Sequence, residues 1–343
     1  MNLNIALLEK KRARRALTVS AALLLLAISV ILISLNTGSI SLAPLTVWKT
    51  LFGYGTSEEQ MILFDYRMPR IIVTMLAGIG LGVSGAVFQG STRNSLADPG
   101  ILGINTGAAL GLIIFVSFFR SMEGPMAVLI PLFTFIGGVL SALIIFLFAY
   151  DRHRGILPIR LILVGIAVAA GISAVTLLLS LKLDEETYAF TARWLAGSVW
   201  GRDWIHVWAL LPWITVLVPV IYSRSKALDI FVLGDEIAYS VGSHVTRERL
   251  ALLGMAVALS CASVSVAGGI GFIGLVAPHI ARRLAGPQHR YFLPVAALLG
   301  LLILVTADTV GRSIFRPNAI PAGVVVAAIG GPYFLYLLFK SKS

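Results

Sequence analysis

Long apolar runs separated by short polar segments form most of this chain of 343 residues. A helix needs about twenty apolar residues to cross the hydrocarbon core of a bilayer, and most of the runs have that length. The pattern predicts an all-α, polytopic membrane protein. Eight of the spans are expected near 16–35, 69–89, 101–119, 126–149, 158–181, 205–222, 291–310 and 320–339.

The apolar stretch from 251 to 281 is harder to interpret, because it is too long for one upright span and Gly268, Gly269, Gly271 and Gly274 interrupt it. It forms either one tilted helix or two spans near 250–267 and 269–281. Cytoplasmic loops are enriched in Lys and Arg. With a cytoplasmic N-terminus, two spans place 18 of the 27 Lys and Arg residues inside and 9 outside. We therefore expect about ten transmembrane helices, with both termini cytoplasmic.

Composition supports a membrane protein and excludes a soluble one. Hydrophobic residues make up 58% of the chain and charged residues only 13%, whereas soluble domains have about 25% charged residues. The net charge of +11 does not indicate nucleic-acid binding, because the basic residues lie in short clusters between apolar runs. The single cysteine, Cys261, lies in an apolar run and permits no disulfide within the chain.

The longest cytoplasmic segment on this topology is 223–249. It contains apolar positions in short amphipathic pieces that are too brief to span, so we expect one or two small helices at the membrane face. Such an ordered element suits contact with a partner protein. A solvated connector is the alternative.

Two Gly-rich stretches resemble one another, AGIGLGVSG at 77–85 and AGGIGFIGL at 267–275. They fall in the second and seventh spans, which run in opposite directions on this topology. This is the pattern of halves related as an inverted repeat, which is common in transporters. Glycines at helical spacing, such as Gly78 and Gly82, also predict close helix packing.

Catalytic and metal-binding motifs are scarce. The chain has no G-x-x-x-x-G-K-[ST] phosphate loop and no H-E-x-x-H, and its five histidines are scattered, so we expect no catalytic residue and no metal site. One catalytic alternative is an intramembrane serine protease with Ser84 as nucleophile and His279 as base. Another alternative is an ion-coupled secondary transporter, although the predicted spans lack the mid-membrane acidic residue that such a carrier needs.

Several motifs, in this order and spacing, make the chain resemble the permease subunits of the bacterial ABC importers for iron-siderophores, haem and vitamin B12. The resemblance covers nearly the full length. The motifs are RMPR at 67–70, SGAVFQ at 84–89, NSLADPGILG at 94–103, LGDEIAYSVG at 233–242, GGIGFIGLVAPHIAR at 268–282, ADTVGR at 307–312 and IPAGVVVAAIGGPYFLYLL at 320–338.

The resemblance implies a set of partners and contact residues in the bacterial cytoplasmic membrane. The partners are membrane lipid, a second permease subunit, two ATP-binding subunits that hold ATP and Mg²⁺, and an extracytoplasmic substrate-binding protein; this chain itself would bind no cofactor. Docking of the binding protein is assigned to Arg67, Arg70 and Arg312. Coupling to the ATPase is assigned to Leu233, Gly234, Asp235, Glu236, Ile237, Ala238 and Gly242. The cytoplasmic gate is assigned to Asn94, Leu96, Pro158 and Ile159.

The chain departs from the family pattern in two places. Ala319 stands where family members often have Glu before the I-P-x-G of the last helix. Pro158 and Ile159 replace the small hydroxyl residues of the vitamin B12 permease. We therefore expect docking and gate chemistry to differ from those of the vitamin B12 permease at these positions.

Overall fold

A computed structural model describes residues 2–38, 42–119, 129–151, 155–156, 158–240, 245–314 and 319–341. Two π-helical turns, Met61–Arg67 and Gly100–Ile104, lead directly into α-helices. Two short strands, β1 (Tyr150–Asp151) and β2 (Gly155–Ile156), form an antiparallel pair. The α-helices are α1 (Asn2–Asn36), α2 (Pro44–Leu51), α3 (Ser57–Gln60), α4 (Met68–Thr92), α5 (Asn105–Phe118), α6 (Leu129–Ala149), α7 (Pro158–Ser180), α8 (Glu185–Leu195), α9 (Trp204–Ser223), α10 (Ser225–Val232), α11 (Asp235–Ser240), α12 (Val245–Ala267), α13 (Ile273–Ala285), α14 (His289–Ile314) and α15 (Ala322–Ser341).

Eight helices in the described part of the chain are long and apolar enough to cross a membrane. They include α1, α4, α6, α7, α9, α12, α14 and α15. The shorter helices α5 and α13 occupy the remaining two predicted spans. Because α13 has 13 residues, it rises only about 20 Å, less than the hydrocarbon thickness of about 30 Å. The prediction of an all-α, multi-pass protein is confirmed.

The break between α12 and α13 lies at Gly268 to Phe272 and is held by the end of α8. The Gly268 φ angle is +83°, and a Cβ added there would lie 2.5 Å from the Trp194 carbonyl oxygen, so only glycine fits. The Gly269 N–H donates to the same oxygen at 3.2 Å. Residues 77–85 lie in the continuous helix α4, so the two similar Gly-rich stretches have different local structures. The inverted relation of the two halves stays a prediction.

Helix α4 forms the centre of the core and packs against α14, α12, α13 and α9. Of its apolar window 78% is buried, compared with 17% for α7 and 11% for α1. The α4 and α14 backbones touch, since a Cβ on Gly78 would lie 2.5 Å from the Gly300 carbonyl oxygen. Glycines therefore allow the close approach that their helical spacing predicts.

Segment 223–249 contains two short helices, α10 and α11, and the first turn of α12. Gly234 joins α10 to α11 with a φ of +108°, a conformation that L side chains rarely adopt. Gly242 lies outside the described residues.

Candidate functional site

An arginine cluster forms where α4 begins and α14 ends. The Arg70 guanidinium meets both Asp308 oxygens, with Nη2 2.6 Å from Oδ1 and Nε 3.1 Å from Oδ2. Arg312 Nε lies 3.5 Å from Asp308 Oδ2, in the i, i+4 relation that places two side chains on one face of a helix. Asp308 is thus a buried carboxylate shared by two arginines, and its pairing with Arg70 was not predicted from the sequence.

Arg67 and Arg312 also fasten the outer end of α1. Arg67 donates to the Leu35 carbonyl, and Arg312 donates to the carbonyls of Ser34 at 2.6 Å and Thr37 at 2.5 Å. The last carbonyls of a helix have no partner inside the helix, so two guanidinium groups satisfy them well. Both side chains are largely buried, with exposures of 6% and 8%. Their docking role stays a prediction, and the geometry adds a structural role.

A cleft of about 580 Å³ opens beside this cluster. It is lined by Arg67, Arg70, Arg312 and a fourth arginine, Arg193 of α8, which the sequence analysis did not select. Ala319 also lines it, and the described lining residues include no carboxylate. The cleft therefore presents positive charge, which suits an acidic protein surface.

Helix α11, which carries residues assigned to coupling by the resemblance, is held by an ion-pair network centred on Asp235. Arg249 of α12 donates to Asp235 at 2.5 Å and 3.3 Å, and Arg93 at the end of α4 donates at 3.0 Å. The hydrogen bond from the Arg249 side chain lowers the pKa of Asp235, so this carboxyl is ionised at neutral pH. The resemblance assigned Asp235 to coupling, but the sequence analysis did not predict its partners Arg93 and Arg249, which lie 142 and 14 residues away.

Helix α10 has a separate anchor. The Asp229 carboxylate accepts the backbone N–H of His289 at 2.8 Å and lies 2.6 Å from the ring Nδ1. His289 is fully buried, and its ring lies against Gly90, where a Cβ would be 2.6 Å from Nε2. Helices α4, α10 and α14 meet at this point.

The assigned coupling residues divide into buried and exposed positions. Ala238 is fully buried, whereas the large apolar side chains of Leu233 and Ile237 are 59% and 50% exposed. Val232 and Tyr239 extend this exposed apolar surface. Large apolar side chains exposed this close together in the sequence are typical of a protein contact.

The assigned gate residues form two groups. Asn94 and Leu96 follow the end of α4, and Pro158 and Ile159 begin α7. Asn94 Oδ1 accepts the Leu96 N–H at 2.9 Å, and the Asn94 carbonyl accepts the Ala97 N–H at 3.1 Å, so the turn after α4 is ordered. Leu96 packs beside Leu275 and Val276 of α13. Pro158 begins α7, and the Ile159 side chain is strongly exposed. The gate assignment stays a prediction.

Asp98, in the same turn, is a buried carboxyl that the sequence assigned no role. Its Oδ1 accepts the Gly100 N–H at 2.8 Å, while Oδ2 has no partner among the described residues. Burial raises the pKa of Asp98 from 3.8 to about 6. The group therefore titrates just below physiological pH.

Replacing Asp98 by Asn should stabilise the protein at pH 8 but not at pH 4. The Asp98 pKa is about 6 in the folded protein and 3.8 in the unfolded chain, so protonation of this carboxyl favours the folded state. That contribution is complete below about pH 4 and is lost as the pH rises through about 6. Removing the buried charge should add on the order of 2 kcal/mol at pH 8. Thermal unfolding at both pH values measures it, with Asp65→Asn, at an exposed position, as control. An equal effect of Asp98→Asn at both pH values would contradict the assignment.

Ser84 and His279, the residues of the protease alternative, have other contacts. The Ser84 hydroxyl is fully buried and donates to the Ala256 carbonyl at 2.7 Å. The His279 ring packs edge-on against Tyr333, with centroids 5.8 Å apart. The Ser84 hydroxyl donates its proton to a backbone carbonyl and not to a general base. This geometry therefore does not favour an activated nucleophile.

Acidic and metal-ligating residues give no sign of a cation site. Within the described ranges, the buried carboxylates are Asp98 in the turn after α4 and Asp308 beside its arginines. In the same ranges no group of three or more His, Cys, Asp or Glu residues could hold a metal ion. That the chain binds no cofactor stays a prediction.

Comparison with known proteins identifies the family. The model of the FecCD transport family matches residues 24–340. The iron(3+)-hydroxamate import system permease protein FhuG of Bacillus subtilis is 42% identical, over 97% of this chain and 100% of that protein. The hemin transport system permease protein HmuU of Yersinia pestis is 37% identical, over 93% and 95%.

A solved structure agrees with these relatives. An inward-facing conformation of a metal-chelate type ABC transporter matches with a TM-score of 0.80 and 28% identity, over 94% of this chain and 99% of that one. This chain belongs to the FecCD transport family.

Proposed function

We propose that this chain is the permease subunit of an ATP-driven importer that carries an iron-siderophore or related metal chelate across the bacterial cytoplasmic membrane. The family match over residues 24–340 is the observation that carries the proposal. The chain would pair with a second permease, receive its cargo from a substrate-binding protein, and be driven by two ATP-binding subunits that hold ATP and Mg²⁺. It would itself be non-catalytic.

The arginine-lined outer cleft supports docking of a binding protein. Arginine pairs carboxylates bidentately, so Arg70 and Arg193 suit acidic residues on a partner. Arg193 is exposed, and Arg70 is 19% exposed in spite of its pairing with Asp308. Arg67 and Arg312 would contribute mainly by shaping the cleft and by adding to its positive charge.

Helix α7 supports pairing with a second permease. Its side chains are largely uncovered, yet Ser173, Thr176 and Ser180 line a cavity of about 340 Å³ with Asn105 and Thr191. Most of the cavity lining is apolar, and these hydroxyl and amide groups add polar positions that hydrocarbon would leave without hydrogen-bond partners. It suits a passage for hydrophilic cargo at a subunit interface.

Reconstitution tests the proposed function. The chain, co-expressed with a second permease and the ATP-binding subunit, should accumulate a ⁵⁵Fe-labelled ferric trihydroxamate in proteoliposomes when ATP and the binding protein are supplied. Leaving out the ATP-binding subunit should reduce uptake to background. Ser84→Ala should keep uptake within about twofold, since it removes one buried hydrogen bond, worth about 1 kcal/mol.

Three results would contradict the proposal. Uptake that continues without the ATP-binding subunit and follows an ion gradient would indicate a secondary transporter. Labelling of Ser84 by a fluorophosphonate, lost in Ser84→Ala, would indicate a protease. Absence of uptake for hydroxamate, catecholate, citrate and haem chelates alike would exclude the cargo class.

A further inference from the structure

The turn that follows α4 is connected directly to the coupling helix. Arg93 ends α4, immediately before Asn94, and its Nη2 donates to Asp235 Oδ1 at 3.0 Å. Its guanidinium also lies over the helix junction, since a Cβ on Gly234 would be 3.6 Å from Arg93 Nη1. One side chain thus connects the coupling helix α11 to the turn assigned to the gate.

We infer that Arg93 is a positioning residue that transmits movement of α11 to the gate turn. The inference rests on the proposed function, because it assumes that an ATPase moves α11. Of the contacts of the coupling segment, Asp229 with His289 holds α10 to α14, and Arg249 holds Asp235 to α12. Arg93 is the contact that reaches the gate turn itself.

The backbone of Arg93 suits this role. Its φ and ψ angles of 55° and 27° lie in the left-handed region, which is uncommon for a residue other than glycine. The following turn is closed by the hydrogen bonds of Asn94 to Leu96 and Ala97. A displacement of the Arg93 side chain therefore reaches a short, ordered turn rather than a slack loop.

The energetics separate this role from a purely structural one. The Arg93 and Asp235 side chains are 35% and 40% exposed, and ion pairs between such exposed groups contribute little to stability. Arg249, which is 8% exposed, forms the tighter pair with Asp235 and would keep α11 in place. Removing Arg93 should therefore leave the fold intact, and a loss of transport would point to transmission.

The test measures gate movement, ATP hydrolysis and uptake in the reconstituted complex. Ser95→Cys places a reporter thiol in the exposed part of the turn, and the chain's own Cys261 is fully buried. In the otherwise unchanged complex, the thiol-labelling rate should change when the ATPase is trapped with a non-hydrolysable nucleotide. With Arg93→Ala this change should fall at least fivefold and uptake about tenfold, while ATP hydrolysis stays within twofold.

Two further variants complete the experiment. Arg93→Lys keeps a cation near Asp235 and should restore much of the uptake. Arg290→Ala removes an exposed arginine at the start of α14, outside the assigned coupling and gate residues, and should behave like the parent.

The outcomes distinguish the two levels of the proposal. A parent complex with no ATP-dependent uptake overturns the proposed function and the inference with it. A parent that transports, beside an Arg93→Ala variant that transports and changes its labelling equally well, overturns the inference alone. Loss of hydrolysis together with uptake in Arg93→Ala would assign Arg93 to assembly and also overturn it.

Discussion

Gly78→Val is expected to prevent stable folding of the chain. The added Cβ would lie 2.5 Å from the Gly300 carbonyl oxygen and 2.8 Å from the Leu301 Cα. Both are backbone atoms of α14, so no side-chain rotation can relieve the overlap and α4 must separate from α14. Because this is the central contact of the core, we expect a loss above about 3 kcal/mol. The yield of monodisperse protein and its thermal midpoint in detergent measure it.

Gly254→Val is the matched control. Gly254 is also helical, in α12, but a Cβ there would meet nothing within 4 Å. Valine and glycine have broadly similar helix propensities, so this variant should fold with little change. Equal stability of the two variants would show that α4 and α14 are not in backbone contact.

Asp308→Ala is expected to have the second largest effect. It leaves the guanidinium groups of Arg70 and Arg312 facing each other in a largely buried site without their shared carboxylate. Breaking a buried ion pair from one side costs about 3 to 5 kcal/mol, because a buried charge is left uncompensated. The measurement is the thermal midpoint of the purified chain, together with uptake by the complex.

The double variant Arg70→Met with Asp308→Leu separates stability from docking. Arg312 keeps its hydrogen bonds to the α1 carbonyls, so two apolar side chains should restore most of the stability. Uptake should stay low, because the cleft has lost its most accessible paired arginine. Full uptake by the double variant would exclude Arg70 from docking, and stability no better than that of Asp308→Ala would contradict the ion-pair account.

Much of the fold follows from the sequence, because membrane spans depend on local composition. Apolar runs and the Lys and Arg distribution predict ten spans, and each predicted segment contains a helix. The break near Gly268 was predicted as well, since four glycines interrupt one long run. Its mechanism was not, because the Trp194 carbonyl that holds the turn lies in α8, some seventy residues earlier.

The sites could be predicted only in part, because their contacts join distant residues. The pair of Asp308 with Arg312 follows from helical spacing, whereas Arg70 lies 238 residues from Asp308. Arg93 and Arg249 share Asp235 in the same way, and single-sequence reasoning contains no signal for such pairs. The burial of two arginines was also not predicted. Arg67 and Arg312 were assigned to docking of a partner protein, but both side chains are buried and donate hydrogen bonds to backbone carbonyls of this chain.

The fastening of α1 has a consequence for how the protein is made. Its C-terminal end is held by Arg67, which follows Leu35 by 32 residues, and by Arg312, which follows Thr37 by 275 residues; within the helix, Arg15 donates to the Arg283 carbonyl at 2.8 Å. During synthesis Arg67 emerges soon after α1, whereas Arg283 and Arg312 emerge only after most other helices. The helix that enters the bilayer early therefore meets its first fastening residue early, and two of these three contacts form late.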